Sequence, residues 1–373
     1  MQFEPKTSLK IPFCVCRWIA GLSMILVGVA GVRGQQKAEF HFGYRPSAFH
    51  ALKAHITDVD LVAPETFVVD GSGLITGEIE PRVLRLARVN KVRVMPQLKN
   101  FDASSGAFRA DWVERLLTHS AARRRAIDGM VQTCRTYALY GMQIEFEGFH
   151  IDQREAFTEF CRDAAAALHA EGYKFSVSLI HREEETGGPT TYTQWMMKDW
   201  RGAYDLEALG AIADFVKVVA YAQHTRRTPP GPSQSYPWLE RVVQYFLSVI
   251  PADKIRLGLS MGASHYYTVA DPERYYQNAR SWSRSITIKE VESLLDQYGG
   301  SPLQWDDRQK MSFGTIERGG VLEWFIVDND LRAIEAKINL VRKYHLGGVS
   351  MWISGDELPG LWDRVKLLRS PKE

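Results

Sequence analysis

An alternation of short apolar runs with helical patterns, which begins at Phe40, limits the possible folds more than any other feature of the sequence. Strands separated by crossover helices form a parallel sheet. Eight such runs occur, and eight parallel strands close into a TIM barrel. We therefore predict an α/β fold, a (β/α)8 TIM barrel, with strands at Phe40–Gly43, Val59–Ala63, Val92–Gln97, Met142–Phe146, Lys174–Leu179, Phe215–Ala220, Ile255–Leu259 and Gly348–Trp352.

The helical pattern is clearest after the fourth run, where Phe157, Phe160 and Leu168 recur at helical spacing. Asp152 is the predicted N-cap of this helix, and Gly172 ends it. The chain between Leu259 and Gly348 is too long for one crossover, so we predict a small α+β insertion between strands 7 and 8, at about 264–330. It contains a helix-like stretch and two strand-like pieces, at Ile288–Tyr298, Lys310–Ile316 and Val321–Val327.

Residues 1–34 have the pattern of a signal peptide. Basic residues precede the apolar run Trp18–Val32, and Val32 and Gly34 suit cleavage before Gln35. The run is shorter than a bilayer span requires, although an uncleaved anchor is an alternative. We predict a mature domain at 35–373 that is secreted, periplasmic or bound to the cell envelope, with no stable membrane span.

Removing residues 1–34 takes away four basic residues and one acid, so the formal net charge falls from +2 to −1. A nearly neutral chain does not suit a nucleic-acid partner. Cys134 and Cys161 lie on predicted helices, where buried free thiols are favoured over a disulfide. The sequence contains no metal-ligand spacing and no nucleotide-binding motif, so we predict no metal and no cofactor.

The stretch Tyr140–Glu147 ends in two acids separated by one apolar residue. In a strand, Gln143, Glu145 and Glu147 share one face, and the apolar residues share the other. A parallel strand covered on both faces would confine the two carboxylates, whereas an antiparallel edge strand would leave them in water. Two confined carboxylates disfavour double ionisation, so one of them would keep its proton near neutral pH, as a general acid requires.

Active sites of TIM barrels lie at the carboxyl ends of the strands, and Glu147 follows the fourth strand there. Aromatic and polar residues occupy other strand ends, and such a mouth suits a carbohydrate. The candidate substrate-binding residues at or near these ends are Trp352, Gln143, Tyr44, Gln223 and His224.

The fourth strand resembles the D-G-x-D-x-D-x-E signature of glycoside hydrolase family 18, the chitinase-like enzymes. Three further stretches resemble the bacterial spore-germination and peptidoglycan branch of that family. The similarity runs in order over most of residues 38–365, and these stretches are Val218–His224 with the following prolines and Trp238, Lys254–Met261, and Gly347–Trp352 followed by Gly355-Asp356-Glu357.

The resemblance implies a retaining, substrate-assisted reaction on N-acetylglucosamine linkages. Glu147 would protonate the glycosidic oxygen, and Glu145 would orient the acetamide that attacks the anomeric carbon. Tyr221 would donate its hydroxyl to the acetamide carbonyl, and Trp352 would form the floor of the site. The implied partner is an N-acetylated polysaccharide or oligosaccharide, bound by a monomer.

The chain departs from the family pattern at Tyr140, Gln143 and Glu145, where the signature has Asp, and at Ala222, which replaces the Asp that follows the sixth-strand Tyr. Gln223 or His224 could replace the lost contact. Two hypotheses follow. The first is an exported glycosidase that cleaves β-1,4 bonds in peptidoglycan or chitin. The second is a weakly active or inactive barrel that binds acetylated glycans in the manner of a lectin.

Two other groups of residues have two interpretations each. His181 and Arg182 fit either the rim of the site or a solvated loop, and the run Glu183–Glu185 fits a solvated loop. The aromatic residues of the insertion fit either a glycan groove or the core of the insertion, and they are Trp305, Trp324, Tyr266 and Tyr267.

Overall fold

The computed structural model describes residues 38–225, 228–269, 280–352 and 358–369. The predicted signal segment and the family-like Gly355-Asp356-Glu357 lie outside these residues. The described chain belongs to one compact unit that begins at residue 36.

The strands number eighteen in the described residues. They are β1 Glu39–Tyr44, β2 Leu61–Pro64, β3 Phe67–Val69, β4 Ile75–Thr76, β5 Arg93–Val94, β6 Gln97–Lys99, β7 Phe101–Asp102, β8 Ala107–Phe108, β9 Gly141–Glu145, β10 Lys174–Ile180, β11 Phe215–Val219, β12 Ile255–Ser260, β13 Ala263–Val269, β14 Arg280–Ile286, β15 Gln304–Asp306, β16 Met311–Arg318, β17 Val321–Val327 and β18 Gly348–Trp352.

The α-helices that the described residues form are α1 Phe49–His55, α2 Pro81–Val89, α3 Ala110–Thr118, α4 Ser120–Tyr137, α5 Arg154–Ala170, α6 Thr191–Met196, α7 Leu206–Ile212, α8 Tyr236–Leu247, α9 Ile288–Gln297, α10 Leu331–Lys343 and α11 Leu361–Lys366. A five-residue π-helical turn, Met197–Arg201, continues α6.

The main sheet has the strand order β4-β3-β6-β9-β10-β11-β12-β18-β1-β2-β5, and its strands pair in parallel except for the β3–β4 hairpin. All eight predicted strand regions lie in this sheet, and the fold is TIM-barrel-like. The predicted strand Val92–Gln97 is divided into β5 and β6. Pro96 lies between the two pieces and has no N–H to donate to a ladder, which accounts for the break.

Strand β9 lies between β6 and β10 and is parallel to both, so the antiparallel edge-strand alternative is wrong. Its outward face packs on α5, where the Phe146 ring stacks on Phe160 with 6.1 Å between centroids. Its inward face carries Gln143 and Glu145, each only 4% exposed. The acids of this strand are therefore confined. The alternation of side chains along the strand determines which of them face inward.

The segment between β12 and β18 forms a second, antiparallel sheet in the order β14-β13-β17-β16-β15, covered by α9. Tyr266 is buried in a cluster of this sheet that includes Trp324. Trp305 lies under the Arg332 guanidinium, 3.9 Å from its ring centroid. These contacts favour the core interpretation of the aromatic residues of the insertion.

A charged cluster lies at the amino-terminal ends of the barrel strands. Glu39 accepts hydrogen bonds from Arg93 at 2.7 Å and from Arg256 at 2.9 Å, and its carboxylate lies 2.9 Å from His41. Burial raises the pKa of Glu39, but His41 and the arginines hold it well below its ordinary value. In barrels of this kind, this end contributes stability and the opposite end carries the chemistry.

Candidate active site

Four neighbouring strands place polar side chains at one level inside the barrel. Lys99 on β6 is paired with Glu145 on β9, and Ser178 on β10 is paired with Lys217 on β11. The register of β9 and β10 puts Glu145 opposite Ser178. Residues in register on parallel strands point to the same face, so two lysines flank one carboxylate.

Glu145 is fixed by a buried ion pair. Its Oε2 accepts a hydrogen bond from Lys217 Nζ at 3.1 Å and one from Ser178 Oγ at 3.3 Å, and Lys217 is 1% exposed. Burial raises the pKa of Glu145, but the charges of Lys217 and Lys99 outweigh burial and hold it below its ordinary value. Glu145 is therefore an ionised carboxylate at neutral pH.

Glu147 lies just beyond the carboxyl end of β9, and its backbone is held by Asn100. The Asn100 side chain donates to the Glu147 carbonyl and accepts from the Glu147 N–H, both at 2.9 Å. The Trp200 indole N–H donates to Glu147 Oε2 at 2.9 Å. Burial and then the charge of Glu145 raise the pKa of Glu147 to about 7, so a large fraction of it keeps its proton at neutral pH.

Tyr221 and Trp352 form an aromatic pair beside the two acids. Their rings stack with 5.6 Å between centroids and 13° between planes. Burial, followed by the charges of Glu145 and Glu147, raises the pKa of Tyr221 well above its ordinary value, so its hydroxyl is a donor. The structure thus brings together the four residues to which the family resemblance gives roles.

The other predicted substrate-binding residues lie elsewhere or have partners within the chain. Gln143 donates to Ser176 Oγ at 2.8 Å, one level deeper in the barrel than Glu145. Tyr44 is 1% exposed. It lies on the same face of β1 as Phe40 and Phe42, which pack outward on Trp362. Tyr44 thus faces away from the acids, and Gln143 shares the inward face of β9 with Glu145 but is bound to Ser176.

Gln223 and His224 bind the loop that follows β11. Gln223 Oε1 accepts from the Ser235 N–H at 2.9 Å, and His224 Nδ1 lies 3.0 Å from the Pro229 carbonyl oxygen. These contacts order the loop and give both side chains a structural role.

Four residues of this site were not predicted from the sequence, and they are Lys99, Asn100, Trp200 and Lys217. Lys217 carried a visible signal, because a lysine stands within the apolar run of a central strand. Asn100 directly follows β6, where functional residues of barrels are found. Trp200 reaches Glu147 from 53 residues away along the chain, and no local pattern marks such a contact.

The arrangement supplies a proton donor, a fixed carboxylate, a hydroxyl donor and an aromatic surface. In the described ranges, no group of three or more His, Cys, Asp and Glu residues is placed to hold a metal ion. None of the helices described here combines the length and apolar character needed to cross a membrane. Cys134 and Cys161 are buried free thiols, as predicted.

A TIM-barrel-like fold with two carboxyl groups of different pKa at one strand end is typical of glycoside hydrolases. The particular family follows from the sequence: the chain belongs to the glycosyl hydrolases family 18, whose family model matches residues 87–356.

Relatives and solved structures agree with this assignment. The chain is 23% identical over 357 residues to the uncharacterized glycosylase YvbX of Bacillus subtilis, with 94% of this chain and 98% of that protein covered. It is 28% identical to the cortical fragment-lytic enzyme of Bacillus subtilis, over 69% of this chain but only 56% of that protein. The spore cortex-lytic enzyme SleL of Bacillus cereus superposes with a TM-score of 0.77 at 21% identity, over 90% of this chain and 75% of that one.

Proposed function

We propose that this chain is an exported retaining glycosidase that hydrolyses β-1,4 bonds next to N-acetylglucosamine in peptidoglycan or chitin by a substrate-assisted mechanism. The observation that carries the proposal is the different surroundings of two carboxyl groups at the carboxyl end of β9: Lys217 lies beside Glu145, and the Trp200 indole lies beside Glu147. Glu147 has a pKa of about 7, and Glu145 is ionised beside Lys217. The cortex-lytic names of the relatives favour peptidoglycan.

The first step transfers the proton of Glu147 to the glycosidic oxygen as the bond to the anomeric carbon breaks. The carbonyl oxygen of the substrate acetamide forms the new bond to that carbon. The Glu145 carboxylate accepts a hydrogen bond from the acetamide N–H and stabilises its developing positive charge. The Tyr221 hydroxyl orients the acetamide carbonyl, and Trp352 supports the sugar ring.

The second step is hydrolysis of the cyclic intermediate. Glu147, now ionised, takes a proton from a water molecule whose oxygen attacks the anomeric carbon. The bond to the acetamide oxygen breaks, and the acetamide is regenerated. Two displacements at the same carbon retain its configuration.

The domain organisation belongs to the same proposal. Residues 1–34 are a signal peptide, and 35–373 are a monomeric (β/α)8 catalytic domain with an insertion at about 264–330. Barrel closure is supported by backbone hydrogen bonds on both sides of segment 93–99. The Met95 N–H donates to Val62 at 2.9 Å, and Pro96 accepts from the Gln143 N–H at 3.0 Å.

The test compares the purified protein with its Glu147→Gln variant on acetylated chito-oligosaccharides and on peptidoglycan, with products identified by mass spectrometry. We expect the variant to lose about 10²- to 10⁴-fold in rate, because it cannot donate the proton. Glu155→Gln, on the exposed face of α5, is the matched control. Binding without any product from the wild type would overturn the enzyme proposal and favour the lectin-like alternative, which the altered signature positions motivate.

A further inference from the structure

A small polar cavity lies beside the active site, at the carboxyl end of β10. Its volume is about 130 Å³, and its walls include Arg182, Glu183, Glu184, Thr193 and Arg201. A cavity of this size has room for several water molecules or one small polar group. Arg182 in its wall is 3% exposed and the preceding His181 is 0% exposed, so the solvated-loop interpretation of these two residues is wrong.

Arg201 brings an uncompensated positive charge to this cavity. It ends the π-helical turn Met197–Arg201, and such turns are frequent at functional sites. In the part of the chain that the structure describes, no carboxylate lies within ion-pair distance of Arg201, and its buried Nε has no hydrogen-bond acceptor. A partly buried, unpaired guanidinium is costly to keep, and an anionic ligand would offset that cost.

Together with the ion-pair partners of its wall residues, the cavity is surrounded by four arginines and three glutamates, an excess of one positive charge. Arg182 and Arg154 share one carboxylate, Glu185, at 3.0 and 2.6 Å. Glu183 pairs with Arg241, whereas Glu184 is exposed to solvent. The Nε of Arg182 is also buried without an acceptor. Arg182 is already bound to Glu185 and to two backbone carbonyls, so the Arg201 guanidinium is the group in this wall that is left to bind an anion.

The cavity is linked to the catalytic acid through Trp200, which precedes Arg201 in the chain. The Arg201 guanidinium lies 5.6 Å from the ring centroid of Trp200, whose N–H donates to Glu147. The side chain that donates to Glu147 and the guanidinium in the cavity wall thus belong to consecutive residues, which puts a cationic group near the proposed catalytic acid. A guanidinium matches the planar geometry of a carboxylate, with which it forms charge-assisted hydrogen bonds.

We propose that Arg201 forms a subsite that binds a carboxylate of the glycan substrate, and that this subsite favours carboxylate-bearing N-acetylated glycans over chitin. The inference rests on the proposed glycosidase function and specifies its substrate class. Chitin has no carboxylate. Peptidoglycan has two sources, the lactyl ether of N-acetylmuramic acid and the peptide stem.

The test measures kcat/KM on three tetrasaccharides, namely a chito-oligosaccharide, an alternating N-acetylglucosamine–N-acetylmuramic acid chain with free lactyl carboxylates, and the same chain with peptide stems. We expect the wild type to prefer a carboxylate-bearing chain. Arg201→Met should reduce that preference about tenfold, since a hydrogen bond to a charged group is lost. Arg201→Lys should restore part of it, and Arg85→Met on α2 removes the same charge from an exposed position as a control. The chain whose cleavage depends on Arg201 identifies the source of the carboxylate.

Equal preferences in the wild type and Arg201→Met would overturn the subsite. An NMR titration with N-acetylmuramic acid and N-acetylglucosamine requires no turnover. It therefore tells failure of the subsite proposal apart from failure of the glycosidase proposal. Tighter binding of the acid that is lost in Arg201→Met supports the subsite even if no glycan is cleaved. Equal binding of the two sugars by the wild type, together with no preference in cleavage, excludes it.

Discussion

At the scale of single residues, the site depends on a difference between two carboxyl groups only two positions apart. Glu145 has a lysine 3.1 Å away, while Glu147 has an uncharged indole donor and the negative charge of Glu145 as its neighbour. Burial raises both pKa values. Lys217 and Lys99 lower both, but they outweigh burial only at Glu145, which pairs directly with Lys217. Lys217 therefore assigns the roles of the two acids.

Lys217→Met should shift the pH dependence of kcat/KM. The pKa of Glu145 lies below its usual 4.5 because of Lys217 and Lys99, so the wild type should lose activity on the acidic side only below about pH 4.5. On the alkaline side it should lose activity as the pH rises through about 7, where Glu147 gives up its proton. Without Lys217, burial dominates, the pKa of Glu145 rises, and the acidic limb moves to higher pH.

We expect the same variant to be about 10- to 100-fold slower at neutral pH, since the acetamide is no longer held by a fixed negative charge. Lys53→Met, on the exposed side of α1, is the matched control. An unchanged acidic limb in Lys217→Met would contradict the charge-fixing role, even if the variant were less stable.

The sequence predicted the acid and its neighbours but not the lysines that set their charges. The alternation of side chains along β9 is a local property, and from it the inward positions of Gln143 and Glu145 were predicted correctly. The ion pair joins residues 72 positions apart, and it depends on the register of four strands. Register is determined by packing and turns over the whole barrel, so it could not be read from one stretch.

At the scale of elements, the turn after β11 carries a strained residue. Ala222 has a φ of 67°, in the left-handed region that favours Gly, Asn and Asp. Its N–H is held by Ser233 Oγ at 3.0 Å, so the loop that contains Gln223 keeps it in this conformation. The Asp of the family pattern would tolerate this conformation better than alanine does.

Ala222→Gly should increase the free energy of unfolding by about 1 kcal/mol, since glycine adopts this φ without a Cβ clash. Ala166→Gly, on the exposed face of α5, should decrease it by about 1 kcal/mol, since there the backbone is helical. Urea unfolding of the two variants measures both effects. Destabilisation by Ala222→Gly would show that the side chain contributes packing that outweighs the strain.

Element types were predictable where the apolar pattern was strong, and element ends were not. Helix α5 begins at Arg154, and its N-cap Gln153 makes no side-chain hydrogen bond, so the predicted N-cap at Asp152 is wrong. A 3-10 turn, Ile151–Gln153, precedes the helix and is capped by the His150 ring. Gly172 follows the helix with a φ of 79°, as its predicted role in ending the helix requires.

At the scale of the whole molecule, the two ends of the barrel divide stability and chemistry. The Glu39 cluster joins β1, β5 and β12 at the amino-terminal end, while Glu147 lies at the opposite end, beyond β9. Because different strands carry the two sites, changes in one should leave the other intact.

Glu39→Ala should lower the free energy of unfolding by about 3 kcal/mol at neutral pH, since it leaves Arg93 and the buried Arg256 without a counter-ion. The folded-state pKa of Glu39 lies below 4.5, so this contribution is present above about pH 4.5 and is lost as the pH falls further. Unfolding curves at neutral and acidic pH measure it, with the exposed Glu78→Ala as control. A change in the pH profile of catalysis in Glu39→Ala would contradict the separation of the two ends.

The contact between Asn100 and Glu147 has a consequence for how this barrel can vary. A side-chain amide offers the same donor and acceptor as a peptide group, and Asn100 presents both to the backbone of Glu147. This pair of hydrogen bonds extends the pairing of β6 and β9 by one position, beyond the last pair of residues joined by their backbones. The proposed general acid is thereby fixed to the rigid frame and not to the loops above it. Those loops could then change length and sequence, and with them the choice of glycan, while Glu147 stays in place.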